Sequence, residues 1–133
     1  ALARSCRRGN SQHGLVVFGE TFRDVGLMRA GNIFVTGALH SEEDWREAFR
    51  LHPCAGLVLT LRRPVYAHVS LEIADRSGLP FAAYPVGGAA DLLSRRDDAL
   101  TLDLSWDAEE IALVVESFLS LRHDRSLRNL DAA

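Results

Sequence analysis

The stretch that decides the fold is SLEIADRSGLPFAAYPVGGAADLL, residues 70–93. It predicts a short helix, a break at Gly78-Leu79-Pro80, a buried strand and a turn at Gly87-Gly88 that leads into another helix. A strand that is apolar at nearly every position is typical of a parallel sheet covered on both faces. One residue stands out, because Glu72 lies in an otherwise apolar part of its helix.

Apolar runs of the same kind recur along the chain. We predict five strands, at residues 15–19, 32–37, 56–61, 80–85 and 99–104. Helical segments fall between them, so the order is strand, helix, strand, helix with short connections. We therefore predict an α/β, Rossmann-like doubly wound domain with a mostly parallel sheet of about five strands, whose ligands bind outside the carboxyl ends of the strands.

Three helices carry clear signals. Ser41 predicts an N-cap, followed by an acidic first turn and by an amphipathic face that ends at His52. Asp107 and Glu110 predict a capping box, followed by a core stripe over residues 111–119. The helix between the third and fourth strands is predicted over residues 66–77. Its sheet-facing residues are predicted to be Val65, Val69 and Ile73.

Composition excludes several classes of function. The chain has 133 residues, enough for one domain, which we assign to residues 1–123 with a polar tail at 124–133. The net charge is −3, so neither nucleic acid nor an anionic membrane is expected as the main partner. All 15 basic residues are arginine, which excludes a P-loop and a Schiff base.

Two further features concern the compartment. Cys6 and Cys54 are the only cysteines, and their distant spacing predicts neither a zinc site nor a disulfide framework, which favours a reducing compartment. No apolar run is long enough for a transmembrane segment, and the first residues lack the apolar core of a signal peptide.

Glu72 has two interpretations from the residues alone. The helix that carries it begins at the carboxyl edge of the predicted sheet, where its first N–H groups can hold a phosphate and Glu72 can accept hydrogen bonds from hydroxyls. Alternatively, His68 and Glu72 form an ordinary i, i+4 surface pair.

Three segments, in this order, resemble the C-terminal domain of GT-B glycosyltransferases of the group 1 type, which are retaining nucleotide-sugar enzymes. They are LVVFGE (residues 15–20), NIFVTGALHSEEDWREAF (32–49) and VYAHVSLEIADRSGLPFAAYPVGGAADLL (65–93). The resemblance covers about residues 15–119 and is most specific in SLEIADRSGLPFAAYPVGG. With Tyr66 and Ser70, the chain is most similar to the branch associated with bacterial surface-polysaccharide and O-antigen synthesis.

This resemblance implies roles for individual residues. Glu72 falls on the second glutamate of a Glu-x7-Glu segment, which hydrogen-bonds the ribose hydroxyls of the donor nucleotide. The backbone amides of Ala67, His68 and Val69 fall where the family holds the donor diphosphate and sugar. The remaining donor-binding positions are in two turns, with Gly37, Ala38 and Leu39 beside the base and Gly19 and Glu20 near the phosphates. Ligand contact at Gly87 and Gly88 stands beside the alternative of backbone turning alone.

The sequence departs from the family pattern at several positions. Pro64 stands where the family has the first glutamate, so the contact of that side chain with the donor sugar is replaced or absent. Pro85 replaces a frequent acidic residue, and Asp91 takes the place of a frequent glutamate. Arg62 and Arg63 either attract a diphosphate or are solvated charges at the end of a strand.

The resemblance implies the donor-binding half of a retaining glycosyltransferase, which transfers a sugar to a glycan or lipid-linked acceptor. It implies a nucleotide-diphosphate sugar as substrate, no metal and no cofactor, and it names no catalytic residue in this chain. The first strand, the basic diphosphate pair and the acceptor-binding N-terminal domain are expected upstream, so the isolated chain is expected to be inactive.

The expected location is the cytoplasm, peripheral to the inner membrane face. The alternative function is a degenerate GT-B-like domain with a structural or protein-interaction role. A receiver domain fits poorly because the chain has no lysine, and an NAD-binding domain fits poorly because no GxGxxG follows the first strand.

Overall fold

The structure is a computed structural model that describes residues 14–29 and 31–131, with side chains described through residue 122. Cys6 therefore lies outside the described residues. Strands and helices alternate along this part of the chain. Their bounds are β1 (Leu15–Val17), α1 (Asp24–Arg29), β2 (Ile33–Val35), α2 (Glu42–Leu51), β3 (Leu57–Leu59), α3 (Val69–Ser77), β4 (Phe81–Ala83), α4 (Gly88–Arg95), β5 (Ala99–Thr101) and α5 (Ala108–Asp131).

The strands form two parallel sheets, one in each of two compact units divided between Pro53 and Cys54. The first sheet has the order β1-β2 and the second the order β3-β4-β5. The α/β class and the parallel pairing predicted from the sequence are confirmed. A single sheet of five strands is not what the described strands form, and it stays a prediction.

The first unit buries one face of its two-stranded sheet. Leu15 pairs with Ile33 and Val17 with Val35, so these four side chains share one face. Ile33 and Val35 are buried, and the crossover helix α1 packs against β2. A short parallel pair connected by one helix is the smallest unit of a doubly wound fold.

The other side of this sheet carries an aromatic cluster of Phe18, Phe34, Phe49 and His52. The ring of His52 lies 4.8 Å from the ring of Phe34 and 6.3 Å from the ring of Phe18, between centroids. Phe18 also lies 6.0 Å from Phe49. Because Phe49 and His52 belong to the end of α2, this cluster attaches α2 to the strands.

The start of α2 forms as predicted. Ser41 is the N-cap, its side chain accepts a hydrogen bond from the Asp44 N–H, and the Asp44 carboxylate accepts one from the Ser41 N–H. These hydrogen bonds lower the pKa of Asp44, with the largest contribution from the His40 N–H. The capping box fixes where the helix begins, because it satisfies N–H groups that have no partner within the helix.

The second unit is built around β4. Its three residues, Phe81, Ala82 and Ala83, are all buried, which confirms the buried strand predicted at this position. Leu59 of β3 and Leu92 of α4 belong to the same hydrophobic core. The small side chains of β4 allow helices to approach the sheet closely, since an alanine side chain extends only one carbon from the backbone.

The predicted sheet-facing residues of α3 are partly wrong. The buried residues of this helix are Val69, Leu71 and Ala74, whereas Ile73 is only half-buried. The helix begins at Val69 rather than at residue 66, so Val65 precedes it. Within the helix, Leu71 and Ala74 are three residues apart and form the main buried face, which is not the face shared by Val69 and Ile73.

The helix α5 begins as predicted and ends later. Asp107 accepts hydrogen bonds from the N–H of Glu110, whose carboxylate accepts one from the Asp107 N–H. Val115 is buried as predicted, and so is Ala112, which was not among the predicted stripe residues Ile111, Val114, Val115, Phe118 and Leu119. The helix continues through residues 124–131, where we predicted a polar tail, because that segment contains neither glycine nor proline. Among the described residues, no helix combines the length and the apolar content that crossing a membrane requires.

Arg96 connects three elements of the second unit. Its guanidinium donates hydrogen bonds to the carbonyl oxygens of Ala74, near the end of α3, and Leu79, before β4. It also forms two hydrogen bonds with the Asp98 carboxylate, at 2.6 and 2.7 Å. The Arg96 Cζ atom lies 5.5 Å from the centroid of the Phe81 ring. Planar, fork-shaped donors of this kind are specific to arginine.

We expect Arg96→Ala to lower the free energy of unfolding by about 1–3 kcal/mol, because it removes the donors of two partly buried carbonyl groups and leaves Asp98 without its cation. The neighbouring Arg95 is 62% exposed and is the matched control; its replacement by alanine should cost less than about 0.5 kcal/mol. Urea unfolding of both variants measures the difference. Equal stabilities of the two variants would contradict this role.

The same ion pair predicts a dependence on pH. The hydrogen bonds from Arg96 lower the pKa of Asp98, so the folded chain holds this proton less tightly than the unfolded chain does. Its contribution to stability is complete above the ordinary aspartate pKa of about 3.9 and disappears as the pH falls through the lowered value. The difference in free energy of unfolding between the parent chain and Asp98→Asn should therefore be constant from pH 5 to 7, a range that begins about one unit above that pKa. The difference should shrink below pH 4. Urea unfolding at each pH measures it.

Candidate functional site

The carboxyl ends of β3, β4 and β5 lie at one edge of the second sheet, because the three strands are parallel. Arg62 follows β3 and reaches across this edge. Its Cζ atom lies 5.2 Å from the ring centroid of Tyr84, which follows β4, and Nη2 is 3.4 Å from the carbonyl oxygen of Leu104, which follows β5. Arg62 thus places a positive charge at the edge where parallel sheets bind ligands. Arg63 beside it is exposed.

A second charged group at this edge is Asp103, which the sequence interpretation did not single out. Its carboxylate accepts hydrogen bonds from the backbone N–H and the hydroxyl of Ser105, at 2.8 and 2.7 Å. These bonds lower the pKa of Asp103, so the carboxylate is ionised at neutral pH. The signal in the sequence is an Asp-x-Ser segment directly after a strand, which favours this type of turn.

The start of α3 is capped by a side chain. His68 is the N-cap in extended conformation, and its Nδ1 atom accepts a hydrogen bond from the Ser70 N–H at 3.1 Å. The Ser70 hydroxyl lies 2.7 Å from the same nitrogen. Ala67 and His68 therefore precede the helix, which begins at Val69. An anion at this helix start would compete with the imidazole for the Ser70 N–H, while other N–H groups of the first turn are independent of it.

Glu72 lies in the first turn of α3, and its side chain is 37% exposed. Its carboxylate lies 3.3 Å from the guanidinium of Arg76, one turn further along the helix. Glu72 thus forms a surface pair with Arg76, a residue that we did not predict as its partner. The i, i+4 spacing of these two residues could have identified it.

Gly87 and Gly88 lie directly against the backbone that precedes α3. A Cβ atom on Gly87 would come within 2.6 Å of the Val65 nitrogen, and one on Gly88 within 3.1 Å of the Tyr66 carbonyl oxygen. The Gly88 N–H donates a hydrogen bond to the Val65 carbonyl oxygen at 2.9 Å. Gly87 also has a φ of +55°, which favours glycine. Backbone conformation and close approach thus account for both glycines.

The first unit brings two of the predicted turns together. Gly19, after β1, and Gly37, after β2, form an antiparallel bridge. Thr36 joins them, because its hydroxyl accepts a hydrogen bond from the Gly19 N–H and donates one to the Gly37 carbonyl oxygen. Their φ values are +111° and +81°, and a Cβ atom on either would meet nothing within 4 Å. Beside them, Glu20 and Ala38 are exposed and Leu39 is half-buried.

The chemistry available to these residues is binding rather than bond cleavage. Arg62 can attract an anion, and Glu72 can accept hydrogen bonds from hydroxyl groups. The thiol of Cys54 is half-buried, and burial raises its pKa, so it is a weak nucleophile at neutral pH. Among the side chains that the structure describes, which end at residue 122, no group of three histidine, cysteine or acidic residues is placed to hold a metal ion.

Comparison of the chain with protein-family models, with curated proteins and with solved structures gives no match.

The bridged turns of the first unit predict a cost for adding a side chain. Gly19→Ala and Gly37→Ala should each lower the free energy of unfolding by about 1–2 kcal/mol, because alanine is strained at positive φ even where space is free. Gly26→Ala is the matched control: Gly26 is exposed within α1, so alanine there should be neutral or stabilising. Urea unfolding of the three variants checks this. Equal losses in all three would show that positive φ does not decide the cost.

Proposed function

We propose that this chain is the donor-binding domain of a retaining glycosyltransferase that transfers a sugar from a nucleotide diphosphate to a glycan or lipid-linked acceptor. The observation that carries the proposal is the segment of residues 62–72. It combines a guanidinium held at the carboxyl edge of a parallel sheet with a half-buried carboxylate in the first turn of the helix that follows. A nucleotide-diphosphate sugar presents the matching groups, an anionic diphosphate and two neighbouring ribose hydroxyls.

Each group has a stated role in this proposal. Arg62 attracts the diphosphate, with N–H groups at the start of α3 as further donors. Glu72 accepts hydrogen bonds from the ribose hydroxyls. When the sugar leaves, negative charge accumulates on the diphosphate, and a cation already in place stabilises that charge without reorganisation. The side chain of Pro64 offers no acceptor to the sugar, so this contact comes from another part of the enzyme.

The two turns of the first unit leave room for a ligand. A Cβ atom on Gly19 or Gly37 would meet nothing within 4 Å, so a ligand can approach these turns closely, although the Gly19 N–H and the Gly37 carbonyl oxygen are bonded to the Thr36 hydroxyl. In the proposed enzyme, residues 37–39 lie beside the base, and Gly19 with Glu20 lies near the phosphates. An open glycine turn is suited to this role because a ligand can approach the backbone closely.

The grouping of the strands supports a Rossmann-like sheet. A common doubly wound sheet has its strands in the spatial order 3-2-1-4-5-6. If strand 1 is removed from this order, one pair, 3-2, and one triplet, 4-5-6, remain. The described strands form one parallel pair, β1-β2, and one parallel triplet, β3-β4-β5. The enzyme is proposed to work in the cytoplasm, at the inner face of the membrane.

A degenerate domain with a structural or interaction role is the second candidate. Two observations favour it: the His68 side chain occupies the Ser70 N–H at the helix start, and Glu72 is paired with Arg76. Pro64 adds to them, because it removes an acceptor that the resembling enzymes use. The two candidates differ in one property, which is the affinity of the chain for a nucleoside diphosphate.

Glu72→Gln tests the proposal. The substitution retains the size of the side chain but removes the charge that strengthens hydrogen bonds to ribose. Each such bond contributes about 1.5–3 kcal/mol, so the dissociation constant should rise about 10-fold or more. The measurement is calorimetric titration with UDP, GDP and ADP, read for the nucleotides that the parent chain binds.

Arg76→Gln is the matched control, because it breaks the same surface ion pair and leaves the Glu72 carboxylate in place. It should leave nucleotide affinity unchanged, and both variants should differ from the parent in stability by less than about 1 kcal/mol. Unchanged affinity in Glu72→Gln would return this residue to the surface-pair role. A parent chain that binds none of the three nucleotides would favour the degenerate domain.

A further inference from the structure

We propose that Gly87 and Gly88 are positioning residues, which set the location of the segment leading into α3 through direct backbone contact with residues 64–66. The proposal deepens the function proposed above and rests on it for its consequence, because the positioned segment leads from Arg62 to Glu72. It assigns the glycines a role in binding without contact between either glycine and the donor.

The contact consists mainly of backbone atoms. A Cβ atom on Gly87 would lie 2.6 Å from the nitrogen and 2.8 Å from the oxygen of Val65, and 3.0 Å from the Cα atom of Pro64. Backbone atoms cannot rotate away as the end of a side chain can. Between Gly88 and Val65 the contact is a hydrogen bond of 2.9 Å, so the two segments are both in van der Waals contact and directly bonded.

The segment before α3 is the part that would move under a clash. Helix α4 is fixed by Ala89 and Leu92, which are 1% and 2% exposed within the core. Pro64 and Tyr66 are exposed, and Tyr66 retains 77% of its accessible surface. A shift of the exposed segment disrupts fewer packed contacts than a shift of α4, so a side chain at position 87 displaces residues 64–66.

The two glycines should differ in severity. At Gly88 the nearest atom to an added Cβ is Cδ1 of Leu71, at 2.9 Å, and the backbone oxygens of Val65 and Tyr66 are at 3.1–3.2 Å. A side-chain end can give way, so Gly88→Ala is the milder change. Leu71→Val removes that Cδ1 atom and should partly restore the position in a double variant, which makes the contact testable by a double-mutant cycle.

The first part of the test examines the structure of the variants without a ligand. In ¹⁵N–¹H spectra, Gly87→Ala should shift the amide signals of residues 65–72 and accelerate hydrogen exchange at Ser70, whose cap lies just beyond the displaced segment. Gly26→Ala is the control and should leave these signals unchanged. If Gly87→Ala does not fold, Gly88→Ala with and without Leu71→Val replaces it, and the double variant should bring the Ser70 signal back toward its parent position.

The second part of the test measures nucleotide affinity, by titration of UDP, GDP and ADP into the same variants. Gly87→Ala should weaken the binding of a nucleotide that the parent binds by about 10-fold or more. Shifts confined to residues 86–95 would overturn the positioning role, because α4 rather than the segment before α3 would then have moved. Shifts at residues 65–72 together with a parent chain that binds none of the three nucleotides would confirm the positioning contact and reject the proposed function.

Discussion

The second unit depends on the burial of β4, which hydrogen-bonds along both edges to β3 and β5. Three features of this unit lie at that strand or at its ends. Arg96 lies over Phe81 at its beginning, Tyr84 lies under Arg62 at its end, and the turn after it leads to Gly87. Because this central strand has no exposed side chain, the groups that can meet a ligand at the carboxyl edge come from the segments that follow the strands.

Much of this could be predicted from the sequence, since the determinants are local. Five apolar runs predict five strands, and each contains a strand in the structure. The N-cap at Ser41 and the capping box at Asp107 are confirmed, and each depends on residues no more than three positions apart. The division of the strands into two sheets could not be predicted, because an apolar run does not identify its neighbours.

The site shows the same limit at a finer scale. The pair of Glu72 and Arg76 could have been predicted from its i, i+4 spacing. The cap formed by His68 could not, because histidine is an uncommon N-cap. The carbonyl groups that Arg96 bonds, those of Ala74 and Leu79, lie 22 and 17 residues earlier in the chain, and no spacing rule connects them to Arg96. Arg62 was singled out by its place after a strand, but its orientation toward Tyr84 depends on two strands being neighbours in the sheet.

The contact at Gly87 also affects how related sequences should be compared. A glycine that recurs after the fourth strand is commonly taken as a mark of ligand binding. Here the Val65 backbone alone forbids a side chain at that position, so the glycine would be retained even in a descendant that had lost its substrate. Gly37 is different, because its surroundings are open and asparagine can adopt positive φ there. Among relatives, position 37 is therefore expected to vary more readily than position 87.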